Sequence, residues 1–211
     1  MIPANFTTLT LLLLTVFVSC QAQESKKKTR EFSSPIITDS TSTLFIPVTY
    51  PFTLFTSNKY MAVGDYNCAN FIVYDFKADT YKKLFEKDAY IRSFFTEYYY
   101  SPKGHSLPSQ TSKQWIFYMV KDYDFNGNEK INNFDPSILY VSNRKGDELR
   151  ALTSREENVV SLELFEKNGL AMVKIQRDLD KNRKFTDEDQ NYYFVKIDLA
   201  TLAVGKRIEM P

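Results

Sequence analysis

Residues 124–135 (DFNGNEKINNFD) and 178–189 (DLDKNRKFTDED) obey one rule. Each sets an oxygen-bearing side chain at positions 1, 3, 5, 9 and 12 of a twelve-residue stretch and an apolar residue at position 8. In the first these are Asp124, Asn126, Asn128, Asn132 and Asp135, with Ile131 at position 8. In the second they are Asp178, Asp180, Asn182, Thr186 and Asp189, with Phe185. A hard divalent cation of calcium's size takes about six to eight oxygens at flexible geometry. Alternating side chains supply most of them, and a backbone carbonyl at position 7 adds another, here that of Lys130 or Lys184. Such chemistry is binding rather than catalysis.

The rhythm resembles the EF-hand type of calcium loop. The order Asp-x-Asn-x-Asn-x-x-Ile-Asn-x-x-Asp of the first copy is also similar to the loop of dockerin modules, which ends in Asp rather than Glu. The resemblance implies Ca²⁺ at one or two sites. Position 6 departs from it. Glycine is usual there for a sharp turn, but Glu129 and Arg183 occupy it, so the expectation is a different turn or a degraded site. The flanks read as strands rather than helices, so the likeness is to the loop alone. Two carboxylates in the first copy against three in the second rank the second as tighter, with affinity on the order of 10⁻⁴–10⁻³ M. A register starting at Asp122 would put Gly127 at position 6 but Asn133 at position 12; starting at Asp124 keeps the closing acid. Hairpin loops rich in Asp and Asn also arise without metal, because their side chains cap their own backbone. Two copies matching at positions 8 and 12 favour metal, and in either case the loop stiffens a long hairpin.

The elements around these loops repeat. Residues 115–120 (WIFYMV) lead into the first loop and 138–141 (ILYV) leave it; 170–175 (LAMVKI) and 192–197 (YYFVKI) do the same for the second. A polar turn and a further strand follow each, at 148–153 and 203–208. The loops start 54 positions apart (178 − 124). A looser copy runs from 60–63 through a short loop at 64–70 to 71–74 and 81–85, and the apolar runs 91–95 and 159–165 open the second and third copies. High aromatic content, with 17 Phe and 14 Tyr, fits pleated, half-buried surfaces. The fold class expected is all-β: about three antiparallel, four-stranded, blade-like repeats over 43–211 (approximately 43–90, 91–153 and 154–211), propeller-like. The pattern resembles the repeats of TolB-like β-propeller proteins. Closed propellers typically have at least about four blades, so a β-sandwich stays open as the alternative, as do an open fan and pairing of the chain with itself.

The first residues read as targeting. An apolar run at 9–18 (LTLLLLTVFV) is too short to span a bilayer and has the length of a signal-peptide core. It runs into Phe17, Val18, Ser19 and Cys20, which resembles the lipobox of bacterial lipoproteins. That implies a signal peptide at 1–19, lipidation of Cys20 and a polar tether over 20–42. Cleavage after Ala22 is the alternative, and both export the chain to the periplasm or cell surface. With Cys20 lipidated or removed, Cys68 stands alone and reads as a packed thiol. Charges nearly cancel, Lys+Arg 27 against Asp+Glu 26, so no basic field draws in nucleic acid. The run from Lys26 to Arg30 reads as a solvated stretch beside the tether.

Catalytic devices find little material. His105 is the single histidine and lies in a turn-rich segment. Zinc sites of His and Cys are excluded by count, and six glycines form no phosphate loop. Tyr98, Tyr99, Tyr100 and Trp115 could stack on sugars or fill a core. The reading is therefore an exported, lipid-anchored, calcium-binding β-repeat protein acting as a binding or scaffold module at the cell envelope. Membrane contact runs through the lipid, and a protein or glycan partner, an envelope complex and a homo-oligomer stay open. The rival is a surface hydrolase of glycans or peptides with its site in 97–113.

Overall fold

The computed structural model describes residues 30–37, 41–50, 68–93, 99–100, 106–107 and 112–209. Its strands are β1 (Glu31–Phe32), β2 (Ile36–Ile37), β3 (Thr43–Thr49), β4 (Cys68–Asp75), β5 (Thr80–Lys83), β6 (Tyr90–Ser93), β7 (Tyr99–Tyr100), β8 (Ser106–Leu107), β9 (Trp115–Lys121), β10 (Ile138–Asn143), β11 (Arg150–Ala151), β12 (Glu157–Phe165), β13 (Leu170–Arg177), β14 (Tyr192–Asp198) and β15 (Val204–Ile208). The helical content of the described residues is one 3-10 turn at Glu166–Asn168. All pairing is antiparallel, so the all-β expectation holds.

Three four-stranded meanders can be traced: β2-β3-β4-β5, β6-β9-β10-β11 and β12-β13-β14-β15. The first two join through the pair Cys68–Ile91 into one nine-stranded sheet that also carries β1, and the third is a separate sheet. Neither sheet closes on itself among the described residues. β7 and β8 pair as an isolated hairpin.

The second meander is the middle layer. Ile116, Tyr118 and Val120 of β9 point into a core shared with Phe45, Phe71, Val73 and Phe85 of the first. Phe117 and Met119, the alternate residues, join Leu139 and Val141 in a second core with Val159, Leu162, Val173, Ile175, Val195 and Ile197 of the third. A strand covered on both faces must be apolar at nearly every position, which is why 115–120 shows no polar alternation. Trp115 belongs to this packing: its indole N–H donates to the Leu199 carbonyl (2.7 Å), tying the second meander to the third.

Each meander turns its last hairpin with the same device. Asp75, Asn143 and Asp198 end β4, β10 and β14, and each side-chain oxygen accepts backbone N–H groups two to four residues on. The structure also departs from the sequence reading. β3 pairs with β4 in the first repeat, β4 starts at Cys68 inside the loop expected at 64–70, and 60–63 lies outside the described residues. Part of the 20–42 tether is built into the sheet, because Ile36 and Ile37 pair with Phe45 and Leu44, and Glu31 and Phe32 with Thr49 and Val48. Residues 1–29, with the apolar run and Cys20, lie outside the described residues, and among those described no helix is long and apolar enough to cross a membrane.

Candidate metal centre

Both acidic stretches connect the two inner strands of a meander, the first between β9 and β10, the second between β13 and β14. In the second, one carboxylate oxygen from each of Asp178, Asp180 and Asp189 lies within 4.8 Å of the others. Oxygens sharing a calcium ion at about 2.3–2.6 Å can be separated by at most about 5 Å, so one cation can reach all three.

Asx turns fold the loop around that point. Asp180 accepts the Asn182 N–H (3.0 Å), Asn182 accepts the Lys184 N–H (2.8 Å), and Asp178 Oδ2 accepts the Arg183 N–H (2.8 Å). Asp189, 2% exposed, closes the loop on its start: Oδ1 accepts the Leu179 N–H (3.0 Å) and Oδ2 the Thr186 N–H (3.0 Å) and hydroxyl (3.4 Å). Asp178 Oδ1 has essentially no accessible surface and no hydrogen-bond donor. A buried carboxylate oxygen without a donor is costly, and a cation at the loop centre would relieve it. A groove of about 610 Å³ lined by Phe125, Arg177, Asp178, Arg183 and Arg207 opens beside it.

The first loop repeats the geometry. Asp124 accepts the N–H groups of Gly127 (2.7 Å), Asn128 (3.1 Å) and Glu129 (2.5 Å). Asn126 and Asn128 accept from Asn128 (3.2 Å) and Lys130 (3.0 Å). Fully buried Asp135 accepts from Phe125 (2.9 Å), the Asn126 amide (3.3 Å) and Asn132 (2.7 Å). The Asn132 side chain caps Phe134 (2.8 Å) and reaches the Lys130 carbonyl (3.4 Å). Asp122 is engaged elsewhere, taking the Tyr140 hydroxyl (3.0 Å) and Arg155 (2.8 Å).

The turn at position 6 corrects the sequence expectation. Glu129 (φ 64°) and Arg183 (φ 62°) adopt the left-handed conformation that glycine would, and so do Gly127 (φ 74°) and Lys181 (φ 59°) at position 4. Left-handed strain of about 1–2 kcal/mol in a non-glycine residue is offset where its N–H finds a carboxylate, as both do on the position-1 aspartate. At position 8 Phe185 is buried and Ile131 half-buried. Phe185 stacks on Phe125 of the other loop, ring centroids 5.8 Å apart.

Two buried polar residues, Lys121 and Gln176, and the half-buried Asn158, none of them singled out by the sequence, hold the loops from beneath. The Lys121 ammonium donates to the Asp135 carbonyl, while Gln176 donates to the carbonyls of Thr186 (2.7 Å) and Asp189 (3.1 Å). Asn158 links Gln176 to the exit of the first loop, accepting the Ser137 N–H (2.8 Å). Burial lowers the Lys121 pKa to about 8 against the opposing charge of Asp135. A polar residue closing an apolar strand was the one signal available for Lys121 and Gln176.

Candidate nucleophiles gain nothing from the fold. Cys68 is buried, its thiol donating to the Asn70 carbonyl (2.9 Å), and burial pushes its pKa up to about 12. His105 and Tyr98 lie outside the described residues. No protein-family model matches the chain, and neither a curated protein nor a solved structure does.

Proposed function

We propose that the chain is an exported, lipid-anchored protein that binds calcium and serves as a binding or scaffold module at the cell envelope. The observation that carries the cation reading is the gathering of Asp178, Asp180 and Asp189 within 4.8 Å, with Asp178 Oδ1 buried and lacking a donor. An all-oxygen donor set of three carboxylates, the Lys184 carbonyl, Asn182 and Thr186 suits a hard divalent ion rather than zinc or copper. The surroundings of an exported protein supply calcium at the weak affinities expected of such loops.

The recurrence of a four-stranded meander supports the repeat reading, and the lipobox-like run ending in Cys20 supports export and anchoring. The loops stiffen the hairpins that cross between the inner strands, which suits a module that presents a fixed surface. Calorimetric titration with calcium, with Asp178→Ala and Asp189→Ala as controls, tests the cation reading. Heat that saturates in the wild type and vanishes in both variants supports it. Absence of heat, with an unchanged melting temperature in calcium, removes it.

A further inference from the structure

The two loops share a fold but differ in how they are wired. In the first, both oxygens of Asp124 take backbone donors. In the second, Asp178 Oδ2 takes one and Oδ1 takes none. Beneath the first loop lies the buried Lys121 ammonium, donating to the Asp135 carbonyl; at the matching place beneath the second lies the neutral Gln176 amide. A lysine ammonium beside Asp135 offsets the first loop's charge and opposes a divalent ion, whereas three gathered carboxylates over a neutral amide attract one.

The loops are also joined along two routes. The Phe185 N–H donates to the Phe134 carbonyl (2.9 Å), a direct bond between them. A partly buried amide relay forms the other route. The Ser137 N–H donates to Asn158 Oδ1 (2.8 Å), Asn158 Nδ2 donates to Gln176 Oε1 (2.9 Å), and Gln176 Nε2 donates to the Thr186 and Asp189 carbonyls. The exit of the first loop thus fixes the closing segment of the second, which carries the Asp189 carboxylate.

We infer that the pair takes a single cation, in the second loop, and that the first loop is a cation-independent template positioning it through Asn158 and Gln176. The inference rests on the calcium reading above. Asn158 and Gln176 touch no ion; they are positioning residues that keep the Thr186 and Asp189 carbonyls in place before binding. Without the relay the closing segment must order as the ion arrives, and the loss of one such partly buried hydrogen bond corresponds to about a tenfold weaker affinity.

Two measurements on the full chain test this. Calorimetry with calcium chloride should give one ion per wild-type chain and, for Asn158→Ala, the same stoichiometry with dissociation about tenfold weaker. Hydrogen exchange read by mass spectrometry needs no variant. Calcium should protect the amides of Arg183 and Thr186, while those of Phe125 and Asn132 are equally protected with and without it. Two ions per chain, calcium-dependent protection of the first loop, or wild-type affinity in Asn158→Ala would each overturn the inference while leaving the calcium reading intact. No heat and no change in either loop would remove both.

Discussion

Phe185 stacks on Phe125 at 26° between ring planes, and its backbone N–H bonds to the Phe134 carbonyl, so position 8 of one acidic loop docks onto the other loop as well as onto the core. The Arg183 guanidinium covers the far side of the cluster, 5.0 Å from the centre of the Phe125 ring. The loops therefore report on each other even in the absence of metal. Phe185→Ala removes a ring that is 5% exposed and should cost about 3–4 kcal/mol. Chemical denaturation in chelator measures it, and a loss under about 1 kcal/mol would mean that the stack carries little.

Calcium should stabilise the native chain by linkage. With dissociation near 10⁻⁴ M, calcium at a hundred times that value adds about 2.7 kcal/mol, a rise of roughly 5–10 °C in melting temperature. Magnesium demands tighter octahedral geometry and gives up water reluctantly, so it should add much less. Asp180 is exposed and holds the Asn182 N–H, so Asp180→Ala should lower the chelator-state melting point only slightly and lose most of the calcium increment. Scanning calorimetry in chelator, calcium and magnesium separates these outcomes; equal shifts with both ions would speak against a calcium-sized site.

Legibility in the sequence followed the range of the interaction. The spacing of Asp178, Asp180 and Asp189 and the uninterrupted apolar run of β9 are local patterns; the fold gathers the first three and buries the second. The left turn at Glu129 and Arg183 was misjudged because glycine was taken as the requirement, whereas the position-1 aspartates supply the bonds that hold it. β3 lies in the stretch from 43 that opens the first repeat, and within it Pro47 pairs opposite Phe71. Asn158, Gln176 and Lys121 act on partners ten to twenty-one residues away, and the one local mark, a polar residue closing an apolar strand at Lys121 and Gln176, does not say what they hold.

Gly146 meets the core of the first meander from the β10–β11 hairpin. A Cβ there would lie 3.0 Å from Val73 Cγ2 and 3.2 Å from Phe45 Cζ, at φ +72°. Gly127, at φ +74°, has nothing within 4 Å. Gly127→Ala should therefore cost only the left-handed strain, about 1–2 kcal/mol, and Gly146→Ala about 1–3 kcal/mol more through overpacking. Equal losses in urea denaturation would show that the hairpin moves aside freely.

Cys68 should be inert in the folded chain. With its pKa near 12, less than about one thiol in a thousand is ionised at pH 8.5, and the residue is 5% exposed. Peptide mapping after iodoacetamide treatment should find Cys68 unmodified natively and fully modified in denaturant. Rapid native modification would show that β4 opens at its Cys68 end.

The hairpin caps set the acid limb of stability. N–H groups of Ala78 and Lys77, with the Ser42 hydroxyl, hold Asp75 below its ordinary 3.8; the backbone N–H and hydroxyl of Thr201, with the Ala200 N–H, do the same for Asp198. For a carboxylate with a depressed folded pKa, the contribution is fully present above the unfolded value and is lost as pH falls through the folded one. Stability should thus hold down to about pH 4 on account of these two groups and decline below it. Asp198→Asn keeps an acceptor for the turn but not the charge, so it should lower stability at pH 7 and converge on the wild type at low pH. Denaturant midpoints measured from pH 2 to 7 test the sign: a gap between the two proteins that widens as pH drops would contradict it, because the unfolded chain would then be the state binding fewer protons at Asp198.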